Sequence, residues 1–241
     1  MKEYGQYAEV FMTTVVPASS RRTVRLMTVV VVVLLLIMLV AVIRRLVIDV
    51  PHVLAGTIPP ETYDVRFVVH HWIAYLHIGP GTLYLLGAPL QLSYRFRSRH
   101  YIFHRRLGRV LVGSALLSGV FAVVIGLLFP FGGPIHGAAA VLFGLWFIAC
   151  LLLAVRAIRR DDIYHHRRWM IRAFAVGVAV GTIRIWLGIF VGLGLLEFEN
   201  SFGPAFWISF CVHALAAELW LRARPSPPEL AQPAEPAIAV T

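Results

Sequence analysis

The stretch Val110-LVGSALLSGVFAVVIGLLFPFGGPIHGAAAVLFGLWFIACLLLA-Val155 contains no formal charge. A helix crosses the ~30 Å hydrocarbon core of a bilayer with about 20 residues, so this run is too long for one span. At its middle lies Pro130-Phe131-Gly132-Gly133-Pro134. Prolines and paired glycines end helices and favour tight reversals, so the pentapeptide reads as a turn between two membrane helices. That hairpin decides the fold class.

Further apolar runs flank it. Leu26 to Ile43 is uncharged and rich in Val and Leu, and Phe67 to Tyr94 is uncharged too. A fifth run, about Trp169 to Leu195, carries one charge, Arg184; a sixth, about Phe202 to Leu221, carries Glu218. The basic flank Arg21, Arg22 and Arg25 before the first run fits a retained first helix better than a cleaved signal peptide. The expectation is an all-α, polytopic bundle of six transmembrane helices, with a four-helix core from helices two to five. Residues 1-25 would form a cytoplasmic N-terminal segment, 26-222 the membrane domain, and 223-241 a disordered tail rich in Pro and Ala.

Composition agrees. Of 241 residues, 59% are hydrophobic and 14% charged, with mean hydropathy +0.77. Soluble domains are about half apolar and about a quarter charged, so a soluble, disordered or disulfide-framed chain is excluded. The net charge of +10 would suggest nucleic acid in a soluble protein. Here the arginines cluster beside apolar runs, which is how membrane orientation is encoded, and no nucleic-acid partner is expected. Eighteen Lys and Arg fall on one side and three (Arg44, Arg45, Arg66) on the other, with Arg184 inside. By the positive-inside rule both termini are expected in the cytoplasm, and the compact loops lead to the expectation of a bacterial inner (plasma) membrane. Cys150 and Cys211 lie within apolar runs and read as packing residues.

The ten histidines are where chemistry could reside. His70 and His77 share one helix face, which Tyr84 continues. His77 and His136 belong near the outer surface; His104, His165 and His166 belong to the inner side. Each of two hairpins thus offers an outer histidine and an inner His-Arg-Arg, His104-Arg105-Arg106 and His166-Arg167-Arg168. Two histidines at matched depth on different helices are the ligand set of a six-coordinate b-type haem. His77 and His136 would hold an outer haem, and His104 with His165 or His166 an inner one. Gly79, Gly81, Gly87, Gly137 and Gly144 would give clearance. Arg105, Arg109, Arg167 and Arg172 would pair with propionates. Arg184, about 18 Å into its helix at 1.5 Å per residue, would face a propionate, a quinone carbonyl or another polar partner, because a guanidinium at that depth is expensive.

Each feature has a plainer reading. Interfacial arginines anchor helices at anionic headgroups, small residues pack helices, and Glu218 with Arg222 reads as an i,i+4 helix-end pair. His213 reads as a lone hydrogen-bonder between helices.

His104-Arg105-Arg106-Leu107-Gly108-Arg109 and His166-Arg167-Arg168-Trp169-Met170-Ile171-Arg172 resemble the two signatures of the membrane-protein family called domain of unknown function 2306. His77-Ile78-Gly79, Gly87-Ala88-Pro89-Leu90-Gln91 and Arg184 match that pattern, and the resemblance covers roughly residues 67-195. The arrangement of histidines on helices two to five is also similar to the cytochrome b561 group, in which helices two and four hold one haem and three and five the other. The His-Arg-x-x-Gly-Arg string resembles a haem-ligand segment of ferric reductases. Lys2 is the only lysine, so the ascorbate site of the b561 group has no counterpart.

Three functions follow as expectations. The first is a bis-histidine haem b protein, a membrane oxidoreductase moving electrons and exchanging them with quinone or a redox partner. The second is a non-redox protein that binds or transports an anionic lipid or small molecule in an outer cavity lined by His77, Tyr84 and Arg184. The third is a structural subunit of a membrane complex or homo-oligomer. Hydrolase motifs such as HExxH and GxSxG are absent.

Overall fold

In a computed structural model, residues 19–223 are described, with the side chains of 19–21, Tyr94 and Arg95 left aside. The expectations for a cytoplasmic segment before residue 19 and a tail beyond 223 lie outside the described residues. Among those residues every element is a helix: α1 Ser19–Ala55, α2 Thr62–Val69, α3 His71–Leu92, α4 Tyr94–Arg99, α5 Tyr101–Leu128, α6 Gly133–Ile158, α7 Ile163–Gly192 and α8 Phe198–Arg222.

Five helices, α1, α5, α6, α7 and α8, are long and apolar enough to cross a membrane. The expected second span differs in kind. Its apolar run is cut at His70, whose backbone (φ −107°, ψ 38°) leaves the helical region, so the short α2 precedes a 22-residue α3. The break frees carbonyls, and His71 Nδ1 meets the Val68 carbonyl at 2.9 Å. α3 also carries two histidines, Pro80 and Pro89, and it is not one of these five. The first span is longer than its uncharged run: α1 continues through Arg44, Arg45 and Asp49 to Ala55, because those charges are paired rather than solvated.

The expected turn is present. α5 ends at Leu128, α6 begins at Gly133 with φ +67°, and Pro134 fills the first turn, where its missing N–H costs nothing. At the other end Asp162 caps α7, its carboxylate accepting from the His165 amide at 2.9 Å. Burial pushes that carboxyl up less than the His165 hydrogen bonds pull it down, so its pKa lies below the ordinary value.

Neighbours pack antiparallel through small residues. A Cβ on Gly87 would lie 2.7 Å from Leu111, one on Gly126 2.8 Å from Ala140, and one on Gly181 2.6 Å from the Leu34 carbonyl of α1. Such contacts let helices approach closely in a medium that gives little hydrophobic drive of its own. α3 packs on α5, α5 on α6, α6 on α7, and α7 more lightly back on α3, while α1 lies against α7 and α8 against α6 and α7. Tyr84, Leu111, Ala115, Cys150, Leu151 and Ile183 form the closed middle of this circuit.

Candidate functional site

The two ends of the bundle are chemically distinct. At one end, Tyr63 of α2 gathers Phe67, Phe131, Phe198 and Phe202 at centroid distances of 5.1 to 5.5 Å. His70 stacks on Phe129 at 3.9 Å. This aromatic end holds a buried polar cluster. Asp64, 2% exposed, receives both terminal nitrogens of Arg44 at 3.1 Å and a close contact from Arg45. Arg45 also meets Asp49 at 3.3 Å, and the Tyr75 hydroxyl donates to Asp49 at 3.2 Å. Burial alone would raise the Asp64 pKa, but the hydrogen bonds from Arg44 and Arg45 reverse this and hold the carboxyl below its usual range.

Arg66 lies in the same cluster without a carboxylate partner. Its guanidinium stands 4.7 Å from the Tyr63 centroid and 4.5 Å from that of Phe131. Its Nε is buried with no hydrogen-bond partner, and its best acceptor is the Phe129 carbonyl at 3.4 Å. Burial lowers its pKa, with Tyr63 partly offsetting. Arg184 reaches up from α7 into electrostatic range of Tyr63 and Arg45, yet its hydrogen bond goes only to the Val180 carbonyl of its own helix, at 2.9 Å. The buried carboxylates here are Asp49 and Asp64; Glu61, Glu197 and Glu199 at this end are exposed. Asp49 and Asp64 are engaged by Arg44 and Arg45, so among the described residues Arg66 and Arg184 have no carboxylate hydrogen-bond partner, Arg66 feeling Asp64 only at longer range.

His77 and His136 border this cluster from different sides. His77 Nδ1 lies 3.0 Å from the Ser118 carbonyl, and the Ser118 hydroxyl donates back to the His77 carbonyl at 2.7 Å. The ring is within electrostatic range of Arg184. His136 Nδ1 accepts the Gly132 amide at 3.1 Å, its ring lies 4.2 Å from Phe206, and Arg66 is its charged neighbour. An Nδ1 that accepts leaves the proton of the neutral ring on Nε2. The structure therefore does not bring these two histidines together as a matched pair: the α3 and α6 backbones stay apart, and the ring contact between them is made further along, by Tyr84 and Phe147 at 5.6 Å. Of the five glycines expected to give clearance, Gly79 has open space, while a Cβ on Gly81, Gly87, Gly137 or Gly144 would lie within 2.8 Å of a neighbouring helix.

At the opposite, arginine-rich end His166 lies within electrostatic range of His104, although α5 and α7 do not pack directly on one another. His166 Nδ1 is held by the Ala154 carbonyl at 2.9 Å, whereas His104 Nδ1 is buried without a partner. His165 points away, its Nδ1 2.6 Å from Asp162. Arg105, Arg109 and Arg167 are exposed. Arg172 is an ion-pair partner of Glu218, at 2.5 and 3.0 Å. This corrects the expected Glu218–Arg222 pair: the nearest base in sequence loses to one on the adjacent helix. His213 does join helices as expected, with Nε2 3.4 Å from Thr182 Oγ1.

The aromatic-end cluster was not legible as a site. In the sequence Arg44, Arg45 and Arg66 stand only as orientation charges. The available signal was the reappearance of both signs of charge, together, in the segment linking the first two apolar runs.

Long apolar helices packed through small residues, with charge confined to ends and pairs, define an integral membrane protein of the polytopic α-helical class. Within that class the chain belongs to the family of predicted membrane proteins called domain of unknown function 2306, which it matches over residues 74–221. The match reaches beyond the 67-195 core through nearly all of α8, so the helix carrying Glu218 is part of the family domain. Searches of curated proteins and of solved structures returned no match.

Proposed function

We propose that the protein is a six-span, N-in/C-in membrane protein that recognises an anionic group, a lipid headgroup or a small anion of the same chemistry, at its aromatic end. The sixth span is α3, whose 22 residues reach about 33 Å at 1.5 Å per residue. The single observation that carries the reading is the pair Arg66 and Arg184, two guanidiniums without a carboxylate beside a fully engaged Arg45–Asp64–Asp49 core. Unpaired positive charge in a low-dielectric interior is costly and is retained where a counter-charge arrives from outside. Aromatic faces around Arg66 hold the guanidinium in place, and planar forks of this kind match phosphate or carboxylate oxygens.

The test is thermal unfolding in neutral detergent, with inorganic phosphate, a short-chain phosphatidic acid and a short-chain phosphatidylcholine as probes. A ligand that binds only the folded protein raises its midpoint with concentration. Phosphatidic acid should raise the midpoint and phosphatidylcholine should not; the phosphate arm tells a free anion from a headgroup. The shift should vanish in Arg66→Gln and Arg184→Gln. Equal shifts with both lipids, or an undiminished shift in the two variants, would overturn the reading.

A second reading rests on the inner histidines. His104 has a buried nitrogen without a partner, and His166 is held with Nε2 free, which suits a bis-histidine b-type haem between α5 and α7. Haem bound there would supply one-electron transfer, with quinone as its exchange partner. An absorbance spectrum with a Soret band lost in His104→Ala and kept in His136→Ala would favour it. A colourless protein from haem-replete cells would remove it.

A further inference from the structure

α6 and α8 run side by side in the same direction, and aromatic side chains join them along their first halves. Phe206 meets His136 at 4.2 Å, and Phe210 stacks on Phe143 at 4.8 Å. Beyond Phe143 space opens between the two helices. The result is a groove of about 340 Å³ walled by Phe143 and Trp146 of α6 and by Ala214 and Ala217 of α8. At its floor lies the Arg172–Glu218 pair.

The floor has a feature that an ordinary lipid-facing groove lacks. Arg172 gives Nε and Nη2 to the two oxygens of Glu218, and its guanidinium lies 4.6 Å from the Trp169 centroid. Nη1 has no hydrogen-bond partner among the described residues and is not closed off from the groove. Arg172 thus brings two N–H donors without a partner to the lining of an apolar channel whose rim, Leu142, Trp146 and Leu215, is exposed toward lipid. The Arg172 guanidinium already has a carboxylate partner in Glu218, in contrast to Arg66 and Arg184 at the aromatic end. What the donors lack is a neutral acceptor. Trp146 and Trp169, in edge contact at 6.2 Å, border the place where that acceptor would sit and offer flat faces to a ring.

We infer that this groove binds a neutral amphiphile whose flat, carbonyl-bearing head accepts from Arg172 Nη1 and whose apolar tail leaves past Leu142 and Leu215 into the bilayer, the chemistry of a membrane quinone. The volume suits such a head and the first part of its tail, at the lower end of the ~300–1,000 Å³ usual for small-ligand sites. Ala214 and Ala217 give the groove its depth. The inference is independent of anion binding at the other end.

The probe is decylubiquinone, and the readout is quenching of tryptophan fluorescence in the purified full chain, with decylbenzene as a competitor of similar tail and no carbonyl. Saturable quenching at micromolar concentration is expected, with decylbenzene at least tenfold weaker. Ala217→Leu, which fills the groove without touching the ion pair, should weaken binding tenfold or more. So should the paired variant Arg172→Leu with Glu218→Leu, which removes the donors without stranding a charge. Equal competition by decylbenzene, or unchanged binding in Ala217→Leu, would overturn the inference, because the groove would then take any alkyl chain or none. If the paired variant does not fold, Ala217→Leu and the competition decide the matter alone.

Discussion

At the aromatic end Arg44, Arg45, Arg66 and Arg184 face two buried carboxylates, whereas at the floor of the α6–α8 groove Arg172 faces one carboxylate that engages it with both oxygens. In the first region two guanidiniums have no carboxylate hydrogen bond among the described residues, whereas in the second the guanidinium that lines the groove has one. Both lie in a medium where a charge without water must find a partner. An excess of guanidinium therefore points outward, to something anionic that arrives. A balanced pair with one open nitrogen asks only for a hydrogen-bond acceptor. Counting arginines cannot tell these cases apart; the placement of the carboxylates does.

The largest effect should come from stranding charge in the first region. Asp64→Leu leaves Arg45, 6% exposed, with half its compensation and should cost about 3–5 kcal/mol, the range for breaking a buried pair. Thermal unfolding in detergent measures it, and adding Arg45→Leu should recover part of the loss. If Asp64→Leu unfolds at the wild-type temperature, the cluster is not the closed core described above. Titration gives a second view of the same residue. The Asp64 carboxyl is held below its ordinary value, so its contribution is fully present above about pH 4 and is lost as pH falls through the depressed folded value. Stability between pH 8 and pH 5 should therefore owe nothing to Asp64 titration, and the loss should begin only in more acid solution. A loss centred near pH 6 would point to histidine instead.

A smaller effect is expected where α1 meets α7. A Cβ at Gly181 would stand 2.6 Å from the Leu34 carbonyl, a backbone atom that cannot swing away. Gly181→Leu should then cost about 1–3 kcal/mol by overpacking. Gly79, with nothing within 4 Å, should accept Ala within about 0.5 kcal/mol. Equal effects at the two sites would mean that α1 is not docked through Gly181. Glu218→Gln comes next. It leaves Arg172 with a neutral partner in a half-buried place, and about 1–2 kcal/mol is expected, between the exposed and buried limits for ion pairs.

How much of this was legible depended on whether the deciding partner was near in sequence. The turn at 130–134 and the apolar runs were readable because helix length and proline chemistry are local. The stripe His70, His77, Tyr84 was readable as one face, and that face does pack toward α5 and α6. The end of the first span was not, because reading stops at the first charge, whereas Asp64 lies 20 positions beyond Arg44 and keeps the helix continuous. The partner of Glu218 was missed for the same reason: Arg172 is 46 positions away, and Arg222 is four. Glycines signalled close approach without saying to what, so clearance for a cofactor and contact with a helix looked alike. His136 carried no mark that the Gly132 amide would claim its Nδ1.

The smallest stability change should come from Arg184→Met, and it separates the two regions most sharply. Arg184 has no carboxylate partner and gives its hydrogen bond to a carbonyl of its own helix. Met keeps the length and the apolar stem while removing the buried charge, so without added anion the unfolding midpoint should hold within about 0.5 kcal/mol or rise. The corresponding change at the groove, Arg172→Met, strands Glu218 and should destabilise the protein. With phosphatidic acid present the order should change, because wild type gains stability by binding and Arg184→Met does not. Two parallel unfolding series, with and without the anionic lipid, give both comparisons. If Arg184→Met destabilises as much as Arg172→Met without lipid, the Arg184 charge is already compensated within the chain, and the asymmetry between the two regions disappears.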